Sequence, residues 1–185
     1  MRILEITNYT AGGCGVGTRV LRESKLLAKR GHQVVIFSTN LVKGTSAICS
    51  AEEIIDNVKI KRFPAKKLKF AGDSYNRWNF TKSAIEFKPD VIIAHAYRHP
   101  HIAKALRVSK KINCKIFLVT HAPFGREETR STIQNLGVKA YDRLIGKNIL
   151  KKFDKIITIS NWEIPYLVKL CVSLNKIEYI PNGID

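Results

Sequence analysis

Apolar and polar positions along the chain repeat with two different periods. Residues 2–7 are a short apolar-rich run, the pattern of a first strand. Val20, Leu21, Leu26, Leu27 and Ala28 then recur at helical spacing up to Gly31, a helix stop. Residues 34–37 are a continuous, largely β-branched run, as a strand buried on both faces requires. Residues 58–63 alternate apolar with basic side chains and end at Pro64, which predicts a more exposed strand near a sheet edge. Residues 64–75 lack periodicity and read as a loop, and residues 76–87 read as a helix closed by Lys88-Pro89. Further strands are predicted at 91–94, 115–120, 155–159 and 177–180. Helices are predicted around Ile102, Ala105, Leu106 and Val108, across 132–152 (weakened by Gly137 and Gly146), and from an Asn161 cap to Val172. Pro181-Asn182-Gly183 reads as a turn. This strand–helix alternation predicts an α/β domain with a doubly wound, mainly parallel sheet covered on both faces.

Composition adds bounds. A chain of 185 residues suits one domain, and 45% hydrophobic with 25% charged residues is an ordinary globular balance that excludes wholesale disorder. The charge is less ordinary: 32 Lys+Arg against 15 Asp+Glu give +17, a surface that attracts phosphates or an acidic membrane face. Cys14, Cys49, Cys114 and Cys171 form no C-x-x-C pair and read as reduced core residues of a cytoplasmic protein. The first ten residues lack a signal-peptide pattern, and no run approaches the ~20 apolar residues of a membrane span.

In such sheets ligands bind beyond the carboxyl ends of the strands. That directs attention to the glycine loop, Ser38-Thr39-Asn40, His95-Ala96-Tyr97, His121-Ala122-Pro123 and Ser160-Asn161. In the loop, Gly12, Gly13, Gly15 and Gly17 admit close backbone approach, and the following helix offers free N–H groups to an anion. The loop matches neither common fingerprint. Thr18 or Val20 stands where a dinucleotide motif needs its last glycine, and no acidic residue follows the second strand to hold a ribose. Thr18-Arg19 stand where a P-loop needs Lys and Ser/Thr. His121, and less strongly His95, are placed to bond a ligand or carry a proton. His99 and His101 read as surface residues at a helix start. Histidines alone, with no acid or cysteine at matching spacing, give no zinc signature, so no metal is expected.

Lys139, Arg143, Lys147 and Lys151 lie four apart and form one basic row, with Tyr141, Leu144, Ile145 and Ile149 on the other face. The row is either a solvated face or a contact for anionic lipid head groups, together with Lys66, Lys67 and Lys69. Tyr75, Trp78 and Phe80 make no RNA-binding signature, and no nucleic-acid partner is expected.

The run GGCGVGTRVLRESKLLAKRGHQVVIFS from Gly12 resembles the opening of the glycosyltransferase family 4 enzymes. The segments PDVIIAH ending at His95, LVTH ending at His121, ITIS ending at Ser160 and IPNGID from Ile180 are similar to later motifs of that family, in the same order. The resemblance implies the N-terminal, Rossmann-like, acceptor-side half of a GT-B enzyme that moves a sugar from a nucleotide sugar to a glycan or lipid acceptor with retention, without a metal. It implies a domain over residues 1–180, with residues 181–185 opening a linker to a donor-binding C-terminal domain, and no activity for this half alone. It places Gly13 and Gly15 near the donor phosphates and His121 beside the reacting sugar. Cys14 and Val16 stand where many relatives carry an acid. Gly12 and His95 are taken as further substrate-binding residues, and Arg126 and Arg130 as contacts for an anionic acceptor group. A peripheral location at the inner face of the cell membrane fits the charge. The alternative function is a non-enzymatic module that binds an anionic glycan or membrane surface.

Overall fold

The computed structural model describes residues 1–67, 75–125 and 130–183. The chain runs β1 (Arg2–Ile6), α1 (Gly15–Lys29), β2 (Gln33–Thr39), β3 (Glu52–Ile55), β4 (Val58–Phe63), β5 (Ala65–Lys67) and β6 (Asn76–Trp78). It continues with α2 (Thr81–Phe87), β7 (Val91–His95), α3 (Pro100–Ile112), β8 (Lys115–Val119) and α4 (Thr132–Tyr141). After a π-helical turn (Asp142–Gly146) come α5 (Lys147–Leu150), β9 (Lys155–Thr158), α6 (Ile164–Lys169) and β10 (Ile177–Tyr179). Eight strands form one sheet in the order β10-β9-β8-β7-β1-β2-β4-β3. All neighbours pair in parallel except β3 with β4.

Period-two alternation sends successive side chains to opposite faces of this sheet. Leu4, Ile6, Ile92, Ala94, Ile116, Leu118 and Ile156 pack against α2, α3, α5 and α6. Ile3, Val34, Ile36, Val58 and Ile60 face α1 through Val20, Leu21 and Leu27. Each fully buried aliphatic side chain here stabilises the fold by about 1.5–3 kcal/mol relative to exposure. The chain lays β1, β2 and β4 to one side, then returns to place β7, β8, β9 and β10 on the other. The switch point therefore lies between β1 and β7.

Several expectations are corrected. Residues 76–78 are not helical: Asn76 and Trp78 are buried with Arg77 exposed between them, and β6 pairs with β5 in a two-stranded ribbon where a loop is expected. Trp78 packs 4.6 Å from Phe80 and 5.7 Å from Phe63, so aromatic packing overrides the helical pattern. Residues 68–74 lie outside the described residues. Strand β4 does lie near the sheet edge, while the edge strand itself, β3, is not among the expected strands; the two are joined at Asp56-Asn57, both with positive φ, the signature of a tight hairpin turn. The chain enters α6 through a 3₁₀ turn, Asn161–Glu163, which is capped by Ser160, whose N–H donates to Glu163, rather than by Asn161. Residues 181–183 form no turn, because the Arg19 guanidinium holds the Asn182 side-chain oxygen at 2.6 Å. Among the described residues no helix is long and apolar enough to cross a membrane, and the four cysteines are free.

Candidate functional site

At the switch point the chain leaves β1 through Thr7, Asn8 and Tyr9 and turns through the glycines into α1. Residues at the end of β2 hold this turn. The Thr39 hydroxyl donates to the Asn8 carbonyl at 2.5 Å, and Arg62 Nε donates to Thr10 Oγ1, which lies 2.9 Å from Ser38 Oγ. The glycines differ in role. Gly12 has φ +82° and faces the Lys43 backbone so closely that a Cβ would overlap it, and a Cβ on Gly17 would overlap the Tyr9 carbonyl. Both are required by the fold. Gly13 and Gly15 have open space where a Cβ would stand. Cys14 caps α1 with no side-chain hydrogen bond, so the first N–H groups of a 15-residue helix are left for an anion. A small cleft of about 80 Å³ opens between this loop and the end of β7, lined by Asn8, Cys14, Val16, Ala96 and His99. A surface cavity of about 800 Å³ lies at the opposite end of the sheet beside Pro89, Asp90 and Lys115, away from all these groups.

Beneath the cleft runs a chain of buried polar groups. Glu5 Oε2 lies 2.6 Å from His95 Nε2, and His95 Nδ1 lies 2.9 Å from His121 Nε2. Glu5 and His95 are fully enclosed, and His121 is half-buried at the top. Glu23 of α1 joins from the side, so that donor atoms of Glu5, Glu23 and His95 lie within 4.8 Å of one another. These are the described residues that could converge on a cation. Enclosure instead favours a proton there: desolvation pushes Glu5 up to about 8 against the attraction of Arg19. Burial and the nearby Glu5 carboxylate raise Glu23 as well. Burial also pushes His95 down to about 4, against the pull of Glu23, and lowers His121 strongly. Both imidazoles are thus neutral at pH 7.

A proton held on Glu5 sets one direction through the chain. A protonated Glu5 donates to His95 Nε2, His95 Nδ1–H donates to His121 Nε2, and His121 must carry its own proton on Nδ1. His121 therefore presents an N–H donor, suited to an oxygen of an uncharged ligand. The backbone around it is strained: Ala96, Arg98, His121 and Ala122 all have positive φ. Buried Glu163 holds the strained ends together. It accepts hydrogen bonds from the Thr120 hydroxyl at 2.6 Å and the Ala122 N–H at 3.1 Å, and from the N–H groups of Ile159 and Ser160.

The structure thus brings His95 and His121 into contact and leaves open space at Gly13 and Gly15, while the Cβ position of Gly12 faces the Lys43 backbone. Arg130 donates to the Pro123 carbonyl at 3.3 Å, beside Arg98, which donates to the same oxygen at 2.8 Å. Arg126 lies outside the described residues. His101 is not a surface residue: it is buried, and its Nε2–H donates to the His95 carbonyl at 2.7 Å. His99 is half-buried, stacked on Tyr75 and 2.8 Å from Asn8 Nδ2. Sequence reasoning missed Glu5, Glu23 and Glu163. Only Glu163 left a local signal, the Ser160-x-x-Glu163 capping box.

The family model described as Glycosyltransferase Family 4 matches residues 13–185. No match was found among curated proteins. Sucrose-phosphate synthase from Thermosynechococcus elongatus superposes with TM-score 0.65 at 16% identity, over 100% of this chain and 49% of its own. HepE of Anabaena, in complex with UDP-glucose, gives 0.63 at 14% identity, over 100% and 44%. The catalytic domain of starch synthase IV from Arabidopsis thaliana, bound to ADP and acarbose, gives 0.56 at 14% identity, over 100% and 52%. The chain spans about half the length of these structures.

Proposed function

Because the chain belongs to glycosyltransferase family 4, we propose that it is the acceptor-side half of an enzyme that transfers a sugar from a nucleotide sugar with retention of anomeric configuration. The observations that support this reading are an uncapped helix start directly after β1 and, at the ends of the neighbouring strands β7 and β8, the hydrogen-bonded imidazoles of His95 and His121. The open backbone at Gly13 and Gly15 approaches the departing diphosphate, and the α1 N–H groups stabilise its growing charge. His121 Nδ1–H bonds an oxygen of the transferred sugar and fixes its position. Arg130, with Arg126, receives the acceptor.

A second domain binds the nucleotide. What supports it is a groove of about 550 Å³ between α1 and the end of β10, lined by Leu26, Leu27, Ile180 and Pro181, apolar surface that a further element would cover. The test uses the product of the whole gene with a panel of UDP-, ADP- and GDP-sugars, reading transfer to added glycans or lipids and the anomeric configuration of the product by NMR. An α-linked product from an α-configured donor is expected. A β-linked product, or no donor consumed by any combination, overturns the reading.

A further inference from the structure

Helix α4 buries none of its residues, although it carries Ile133 and Leu136, 83% and 69% exposed. Leu144, in the π-helical turn, is 71% exposed. The spacing of Ile133, Leu136 and Leu144 (0, 3 and 11) puts them on one outward line of the helical segment. Lys139, Arg143 and Lys147 follow at four-residue steps immediately beside that line. From Arg130 to Phe153 the single acidic residue is Asp142. It is turned inward, accepting from Tyr97 and from Arg98 at 2.5–3.0 Å. Among the described residues of this segment, the outward side is thus apolar and basic.

We infer that the segment from α4 to Lys147 is a membrane-surface helix, which seats Ile133, Leu136 and Leu144 among acyl chains and its basic row on anionic lipid head groups. An amphipathic helix of this composition lies in the plane of the bilayer interface, its affinity set by apolar area together with charge. A second copy of this chain would present the same basic row and repel it. Asp142 anchors the segment to Tyr97 and Arg98 at the end of β7, so the docked surface adjoins the crevice. The inference does not depend on the transfer chemistry.

The test is co-sedimentation with vesicles of phosphatidylcholine alone or mixed with phosphatidylglycerol. The wild-type chain is expected to bind the mixed vesicles, to release as salt rises, and to ignore the neutral ones. Ile133→Asp with Leu136→Asp, and separately Lys139→Glu with Arg143→Glu, are expected to lower partitioning at least about tenfold. If the aspartates abolish a cooperative melt, Ile133→Gln with Leu136→Gln replaces them. Equal binding to neutral vesicles overturns the inference. So does wild-type binding by the apolar variant, which would assign the attraction to net charge alone. A wild-type dimer that the apolar variant dissociates, with no vesicle binding, would overturn it in favour of self-association.

Discussion

Two adjoining regions of this domain are held in opposite ways. At the ends of β7, β8 and β9, Glu5, His95, Thr120 and Glu163 are almost completely removed from water, and hydrogen bonds fix backbone that is strained at Ala96, His121 and Ala122. A few residues further on, α4 buries no residue fully and is attached at its end, where Tyr141 packs on the core, and through the π-helical turn, where Asp142 bonds Tyr97 and Arg98 and Gly146 packs on Tyr97. The first region spends stability on geometry, as a site that must hold reacting groups still does. The second leaves apolar area in water, which suits a surface meant to meet something else.

The largest expected effect lies in the first region. Glu163→Ala leaves four donors from Thr120, Ala122, Ile159 and Ser160 without their acceptor. A loss of about 3–4 kcal/mol in chemical denaturation is expected, and a loss under 1 would detach Glu163 from the support of His121. Next comes the joint between the regions. A Cβ on Gly146 overlaps the Tyr97 hydroxyl, so Gly146→Ala should cost about 1–3 kcal/mol by the same measurement. An unchanged midpoint would mean that the π-helical turn does not lock the segment.

The buried proton gives a smaller, pH-dependent effect. Glu5 is raised from 4.5 to about 8, so between those values the folded chain holds a proton that the unfolded chain has released, and stability falls as pH rises. His95, lowered from 6.5 to about 4, acts in the opposite sense but only below 6.5. From pH 6.5 to 8 the wild type should therefore lose about 1–2 kcal/mol, read as a falling melting temperature. Glu5→Gln should flatten most of that slope, the remainder belonging to Glu23. A variant with the wild-type slope would place the proton elsewhere. The smallest effect is expected on α4, where Ile133→Asp should change stability by no more than about 0.5 kcal/mol; a larger loss would show hidden packing.

The same contrast explains what the sequence made legible. The parallel strands announce themselves, because residues such as Val34 to Phe37 and Val91 to Ala94 are buried on both faces and their apolar runs are local. The strand ends, and with them His95, His121 and the glycine loop, follow from the topology. Glu5 does not, since an acid inside an apolar strand carries no motif and its partners lie 18 and 90 residues away in Glu23 and His95. The mis-assigned segments have the same origin. Asn76 to Trp78 becomes a strand through Tyr9 and Phe63, contacts that no local period encodes. Residues 142–146 do not continue the regular helix that is expected across 132–152. The π-helical turn instead sends Gly146 against Tyr97 and leaves Ile145 half in water, and of this only the small residue at 146 was visible beforehand.

The role proposed for the polar chain ending at His121 is sugar transfer rather than folding. It is tested most directly by nucleoside diphosphate release from the panel of nucleotide sugars, comparing the whole gene product with its His121→Ala variant. Turnover is expected to fall by about 10²-fold or more, as for loss of a preorganised donor, while stability falls by only about 1–3 kcal/mol, the effect of one lost buried partner. Equal turnover by the two proteins would contradict it and return His95 and His121 to a purely structural role.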